Sequence, residues 1–243
     1  METVTIRYCF TLEDGSQEVF DLELDAQNLE LLGNTPEILP SWTDLDFHQC
    51  PNCPLTIQTH PHCPLAVNLV NVVKRFGPVL SYDQVHVSVI TKERSVSQGT
   101  TVQIAISSLM GLVIATSGCP HTAFFKPMAR FHLPLATGEE TMYRVTSMYL
   151  LAQYFLKKVG ENTDLELDGL TKIYNNIHVI NTAIAKRLRA ATEKDSTVNA
   201  IVMLDMYAIA LPRVIEESLE EIRYLFKPFL MKSGWSKKDK TPH

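Results

Sequence analysis

The sequence predicts an α+β protein: a small N-terminal antiparallel β element, a cysteine-bearing central segment and a C-terminal antiparallel helical bundle. Three observations predict it. Apolar and polar residues alternate strictly over residues 3–12. Residues 33–64 are rich in proline, asparagine and histidine and show no periodicity. From residue 100 onward apolar residues recur at steps of three and four. A period of two is the mark of a half-buried strand, and a period of 3.6 is the mark of an amphipathic helix. The predicted parts are a β-hairpin module over 1–47, a central segment with one strand and helices over 48–136, a helical bundle over 137–231, and a disordered tail over 232–243.

Val4, Ile6, Tyr8, Phe10 and Leu12 share one face of the first strand, and Thr3, Thr5, Arg7, Cys9 and Thr11 the other. Asp14-Gly15 supplies a turn, and Phe20, Leu22 and Leu24 continue the apolar face on a second strand. Residues 33–64 read as a long irregular loop, ordered by Trp42, Leu45 and Phe47. Ala66 to Phe76 reads as a helix closed by Gly77-Pro78. Val85, Val87, Val89 and Thr91 mark a strand able to join the hairpin.

The uncharged run from Ser95 to Phe125 reads as a buried core helix followed by a turn. Val102, Ile106, Leu109 and Val113 carry the helix, and a strand over 100–106 is the competing reading. Thr137 and Glu140 form a capping box for the next helix. Its expected buried stripe is Met142, Val145, Met148, Tyr149, Ala152, Phe155 and Leu156. Leu170 to Leu188 marks a further helix, and Ser196 is the expected cap of another, which Pro212 kinks or breaks. Val214 to Phe226 defines the last.

Composition narrows the function. Hydrophobic residues at 45% and charged residues at 20% are ordinary for a water-soluble globular domain. A net charge of −5 argues against nucleic acid as a partner. The basic cluster from Lys232 to Lys240 reads as part of a solvated tail. The N-terminus lacks a basic stretch followed by an apolar one, and no run suits a lipid-facing span. The expected compartment is the cytoplasm, without membrane partners; there, clustered cysteines serve as ligands or redox groups in preference to disulfides.

Four of the five cysteines precede proline: Cys50-Pro51, Cys53-Pro54, Cys63-Pro64 and Cys119-Pro120. Proline fixes its own φ and lacks an N–H, so the chain leaves each sulfur stiffly. The spacing is Cys50-x2-Cys53-x9-Cys63, with Cys119 far downstream. A C-x-x-C turn aims two sulfurs at one metal, in zinc and iron–sulfur sites alike. An iron–sulfur cluster on these cysteines is the leading reading. A structural zinc site on the same cysteines, free or redox-active thiols, and haem at a Cys-Pro pair are the others. Cys9 lies on the polar face of a strand and is set aside.

His48, His60, His62, His121 and His132 crowd the same stretches. His121, two residues from Cys119, is the first candidate to replace or assist a sulfur ligand. Lys126, Arg130 and His132 form a second group able to bind a small anionic ligand or to lower the pKa of Cys119. The alternative is that Lys126 and Arg130 pair with Glu139 and Glu140 and pin two helices. Arg144 follows Glu140 by four residues and suits an intrahelical pair.

Glycine-rich phosphate loops, the H-E-x-x-H zinc motif, the G-x-S-x-G serine motif and Glu-x-x-His pairs do not occur. The run SGCPHTAFFKPMARFHLPLATGEETMYRVTSMYLLAQYF, with CPNCPL and CPLAVNLVNVV upstream, resembles a family of bacterial proteins with no assigned function. The resemblance covers most of residues 45–230 and implies a bacterial cytosolic protein; it transfers no reaction or cofactor. The expected function is a metal-centre protein, [4Fe–4S] in the leading reading, with a redox or sensing role and a redox partner. The alternatives are a regulatory or binding protein closed by zinc and a thiol enzyme using Cys119 with His121. The sequence leaves the oligomeric state open.

Overall fold

A β-hairpin opens the chain. Strand β1 (Thr3–Leu12) pairs antiparallel with β2 (Gln17–Asp25), placing Tyr8 opposite Phe20 and Ile6 opposite Leu22. The turn uses Gly15 at φ +83°, a conformation that costs glycine nothing. Strand β4 (Gln84–Thr91) pairs with the other side of β1, and β5 (Ser95–Thr101) pairs with β4. A two-residue strand, β3 (Leu31–Leu32), completes a five-stranded sheet of order β3-β2-β1-β4-β5. The computed structural model describes residues 2–33 and 36–232. The predicted disordered tail, with the basic cluster from Lys232 to Lys240, lies outside the described residues apart from the backbone of Lys232.

Ile6, Tyr8, Phe10, Leu22, Leu24, Val85, Val87 and Val89 turn one face of the sheet inward, as the alternation requires. Helix α1 (Pro64–Phe76) buries Leu65, Leu69, Val72 and Phe76 in the same core as that face. Phe76 meets Phe10 edge-on at 4.9 Å and stacks on Phe20 at 5.8 Å. Burying one such side chain contributes about 2–3 kcal/mol. Helix α2 (Val102–Thr116) is buried nearly all round, so it forms the centre of the molecule. It begins directly after β5, and residues 95–101 are therefore a strand where the apolar run read as helix. Serines, glutamine and glycine disguise that strand, because β5 lies at the sheet edge with little side chain to bury.

After a short 3-10 turn, helix α3 (Lys126–Arg130) leads to α4 (Gly138–Lys158), α5 (Asp168–Ala191), α6 (Ser196–Ile222) and α7 (Lys227–Lys232). Thr137 and Glu140 close the capping box of α4 in both directions. The stripe of α4 departs from expectation in its second half. Met142, Val145 and Tyr149 are buried, but Phe155 and Leu156 are exposed and Gln153 is buried in their place. The returning loop explains this: Asp164 donates its N–H to the Gln153 side chain and accepts from the Tyr149 hydroxyl.

Ser196 is the first residue of α6, and Asp195 stands at the cap position. The Ser196 hydroxyl instead donates to the Phe76 carbonyl at 2.6 Å, fastening α6 to the end of α1. Pro212 lies inside α6, and the segments Ser196–Arg213 and Glu217–Met231 are bent 85° from one another. Among the described residues no single helix is long and apolar enough to cross a membrane, although that bent pair passes the same test by length and composition. One continuous core draws on the sheet, α1, α2 and the C-terminal helices.

Candidate metal centre

Three chain segments bring Cys50, Cys53, Cys63 and Cys119 to one corner of the molecule. Cys50 and Cys53 lie on a turn closed by the Cys53 N–H donating to the Cys50 carbonyl at 3.0 Å. Cys63 is the N-cap of α1, and Pro64 follows at the first helical position. There the missing N–H of proline costs nothing. The Cys63 N–H donates to the Thr43 carbonyl at 2.8 Å, which ties the end of the loop to its beginning. Cys119 follows α2 across Gly118, whose φ of +83° reverses the chain. Its N–H faces the Ser117 hydroxyl at 3.3 Å.

These segments are tied to one another. The His121 ring Nε2 lies 2.8 Å from the Asn52 carbonyl, joining the Cys119 loop to the Cys50–Cys53 turn. Asn68 donates to the carbonyls of Pro64 and Ser117 at 2.9 and 3.2 Å, joining the start of α1 to the end of α2. The α carbon of Gly118 lies beside Pro64, where an added Cβ would sit 3.9 Å from the proline ring. Asn52 also reaches Asn176 on α5 at 3.0 Å.

Arg187, only 2% exposed, anchors the loop from beneath. It donates to the carbonyls of Trp42, Asp44 and Leu45 at 2.7, 2.7 and 2.9 Å. A buried guanidinium needs its donors filled, and a loop without regular structure has carbonyls to offer. Arg187 was legible in one respect. It falls seven residues after Ile180 and three after Ile184, on the apolar face of α5, where a cation must have built partners. Asn52 and Asn68 carry no comparable signal.

The four cysteines are free thiols, each half-buried, and Cys50, Cys63 and Cys119 pack against the core. Burial pushes the Cys50 thiol up to about 12; negative charge on Cys63, Cys119 and Cys53 adds to the rise, and Arg187 opposes it. Burial likewise raises Cys119, while the backbone N–H groups of His121 and Thr122 face its sulfur and work downward. The Cys50 sulfur thus lies in electrostatic range of the other three, and that of Cys119 in range of Cys53 and Cys63. Among the described residues, however, no three His, Cys, Asp or Glu side chains are arranged to hold a metal ion as they stand. The four sulfurs meet at one corner without forming a closed ligand cage. Four soft sulfur donors from such a corner suit iron–sulfur clusters and zinc.

The other predicted residues are dispersed. His48 is exposed and lies edge-on to Phe47. His62 sits 3.1 Å from the Asp44 carboxylate, and His60 is exposed. Lys126 pairs with Glu30 of the β2–β3 connection at 3.3 Å, not with Glu139 or Glu140. Arg130 lies exposed over the Phe131 ring, and His132 turns inward to the Tyr8 hydroxyl at 2.5 Å. Lys126, Arg130 and His132 are therefore not brought together. Arg144 donates to the carbonyls of Met128 and Phe131 at 3.1 and 2.9 Å, so it fastens α4 to α3.

The model of a domain of unknown function, DUF6901, matches residues 6–227 of this chain. The chain belongs to the DUF6901 family. The match takes in most of β1, the whole cysteine corner and the helices as far as the start of α7, so the family unit includes every ligand candidate named above. No curated protein and no solved structure matches the chain.

Proposed function

We propose that this DUF6901 protein is a metal-centre protein of the bacterial cytosol, in which Cys50, Cys53, Cys63 and Cys119 bind an iron–sulfur cluster with a redox or sensing role. The observation that carries the reading is the gathering of all four Cys-Pro units at one corner, although the last two are separated by 55 intervening residues. His121 bonded to Asn52, and Asn68 bridging Pro64 and Ser117, support it. When bound, such a cluster supplies one-electron chemistry at a potential set by its surroundings. The protein's own part is to hold the sulfurs and tune that potential. The N–H groups of His121 and Thr122 disperse charge on the Cys119 sulfur, Arg187 offsets charge at Cys50, and packing against the core limits water.

A structural zinc site on the same cysteines is the second reading. It is favoured by the lack of regular structure over most of the loop they would close, residues 44–62. The thiol-enzyme reading has less support. Burial raises the Cys119 thiol and favours its protonated form, and the Nε2 of His121 is taken by a backbone carbonyl.

Anaerobic purification of the full chain separates these readings. An iron–sulfur protein is brown, with broad visible absorption bleached by dithionite. Cys53→Ser and Cys119→Ser should each lose the metal, while Cys9→Ser, on β1, should keep it. Stoichiometric zinc, with no iron even after anaerobic reconstitution, promotes the zinc site. A chain that takes up neither metal ends both.

A further inference from the structure

A cavity of about 250 Å³ lies between α2, α3, α4, α5 and α6, with none of the four cysteines in its lining. Its walls are mostly apolar, formed by residues such as Ile104, Leu112, Ile177 and Leu204. At about 30 Å³ for a water-sized group, it has room for roughly eight such groups. Its volume is just below the range of about 300–1,000 Å³ usual for ligand pockets, so it suits only a small ligand.

Its polar groups are few. The Asn181 side chain lines the cavity, is 2% exposed, and its Nδ2 donor has no partner. A buried donor is satisfied in nearly all folded proteins, so an orphan on a residue that lines a cavity marks a place for an acceptor. Arg144 lines the same cavity and is half-buried. Its two hydrogen bonds to Met128 and Phe131 both come from Nη2. A guanidinium carries five donors in a flat fork, so Nε and Nη1 lie outside those two bonds. The nearest charged influence is Glu140, whose carboxylate accepts from the Thr137 N–H at the cap of α4. Tyr174, beside Arg144, is held protonated by burial and is a third donor. His132 is already bonded to Tyr8, which in turn meets Ser108.

Arg144 is the one cationic side chain on the wall; Ser107, Ser108, Thr141 and Tyr207 add neutral hydroxyl groups, and most of the remaining lining is hydrocarbon. We propose that this cavity binds a small monoanionic apolar carboxylate, such as a medium-chain fatty acid. Its head lies against Arg144, Asn181 and Tyr174, and its tail lies among the apolar walls. A single cation suits a carboxylate better than a doubly charged phosphate. The Nε and Nη1 donors outside those two bonds each offer a charge-assisted hydrogen bond to a carboxylate oxygen. This site is independent of the proposed metal centre, because none of its residues is a cysteine.

The test titrates the full chain with sodium octanoate and, separately, with 1-octanol, reading heat of binding and thermal midpoint. Octanoate is expected to bind and to raise the midpoint, because a ligand held only by the folded state stabilises it. Arg144→Gln should weaken octanoate at least tenfold while leaving octanol unchanged. Asn181→Leu should also weaken octanoate, and it keeps the test open if the Arg144 variant does not fold. Gly111→Leu should abolish binding of both, since Gly111 lines the cavity and a Cβ there meets only Leu204, at 3.7 Å. No octanoate binding at about 1 mM, a weak affinity for any specific site, overturns the proposal. Equal binding of octanoate and octanol, or binding indifferent to all three variants, overturns it as well.

Discussion

The cysteine corner and the helix-lined cavity draw on the same two helices, α2 and α5, yet they are held by different forces. The corner is irregular chain, and it keeps its shape through polar ties: Arg187 on three carbonyls, His121 on Asn52, and Asn68 on two more carbonyls. The cavity is bounded mostly by regular helices whose backbone bonds are internal, with the link between α3 and α4 on one side, and it keeps its shape largely through packing of side chains. A loop can place sulfurs from distant segments because it is not bound to a helical repeat; it then needs specific ties to stay put. Helices need no such ties, but they leave gaps wherever their side chains fail to interlock. The corner should therefore fail on loss of one polar group, and the cavity should respond to volume and charge.

The largest expected effect breaks the first half of that contrast. Arg187→Ala leaves three carbonyls and a guanidinium-sized space behind, and should destabilise the chain by about 4 kcal/mol. Urea denaturation measures the loss, and hydrogen exchange should show residues 42–47 opening before α5. A cost below about 1 kcal/mol, the range of an ordinary surface position, would mean that the corner is not held in this way.

The next sharpens the second half. Burial, and then the charge of Arg144, pushes His132 down to about 4. In the unfolded chain its pKa is about 6.5, so between these values the unfolded state takes up a proton that the folded state refuses. Stability should then decline as pH falls through that window, by about 3 kcal/mol in all. His132→Asn should flatten the decline, as measured by urea midpoints at successive pH values. Asp164 is held low by the N–H of Gly169 and then by the Tyr149 hydroxyl. Its stabilising contribution is full above the ordinary carboxylate range and is lost only as pH falls below about 4, through its lowered folded value. A decline confined to that acid range would remove His132 from the account.

The smallest effect is local to α4. Thr137→Ala breaks the capping box and should cost about 1 kcal/mol. Thermal melting should register it, while metal uptake at the corner stays unchanged.

The sequence announced some of this and concealed the rest for physical reasons. The strands β1, β2 and β4 and the cap of α4 were legible because each rests on neighbours in sequence: alternation for a half-buried face, and a threonine three residues from a glutamate for a cap. The strand β5 was hidden, since an edge strand of serine, glutamine and threonine has no apolar face to betray it. The exposed end of the α4 stripe was hidden because a loop more than ten residues away chooses Gln153 over Phe155. The four Cys-Pro pairs named the candidate ligands, but their convergence depends on Asn68 and Arg187, each of which acts across a long span of chain. The pairing of Arg144 with α3 carbonyls, against the expected intrahelical pair with Glu140, is of the same kind.

The two borders of the sheet carry one more consequence. An open strand edge is a template on which a neighbouring chain can lay its own backbone, and an exposed, flat, apolar edge is the usual beginning of aggregates. Here one border is β3, only two residues long, and the other is β5, where Ser95, Ser97, Gln98 and Gly99 face outward. The most apolar strand, β1, is shielded between β2 and β4. The polar composition that hid β5 in the sequence thus makes it a poor template, and the sheet ends on both sides without inviting a further strand.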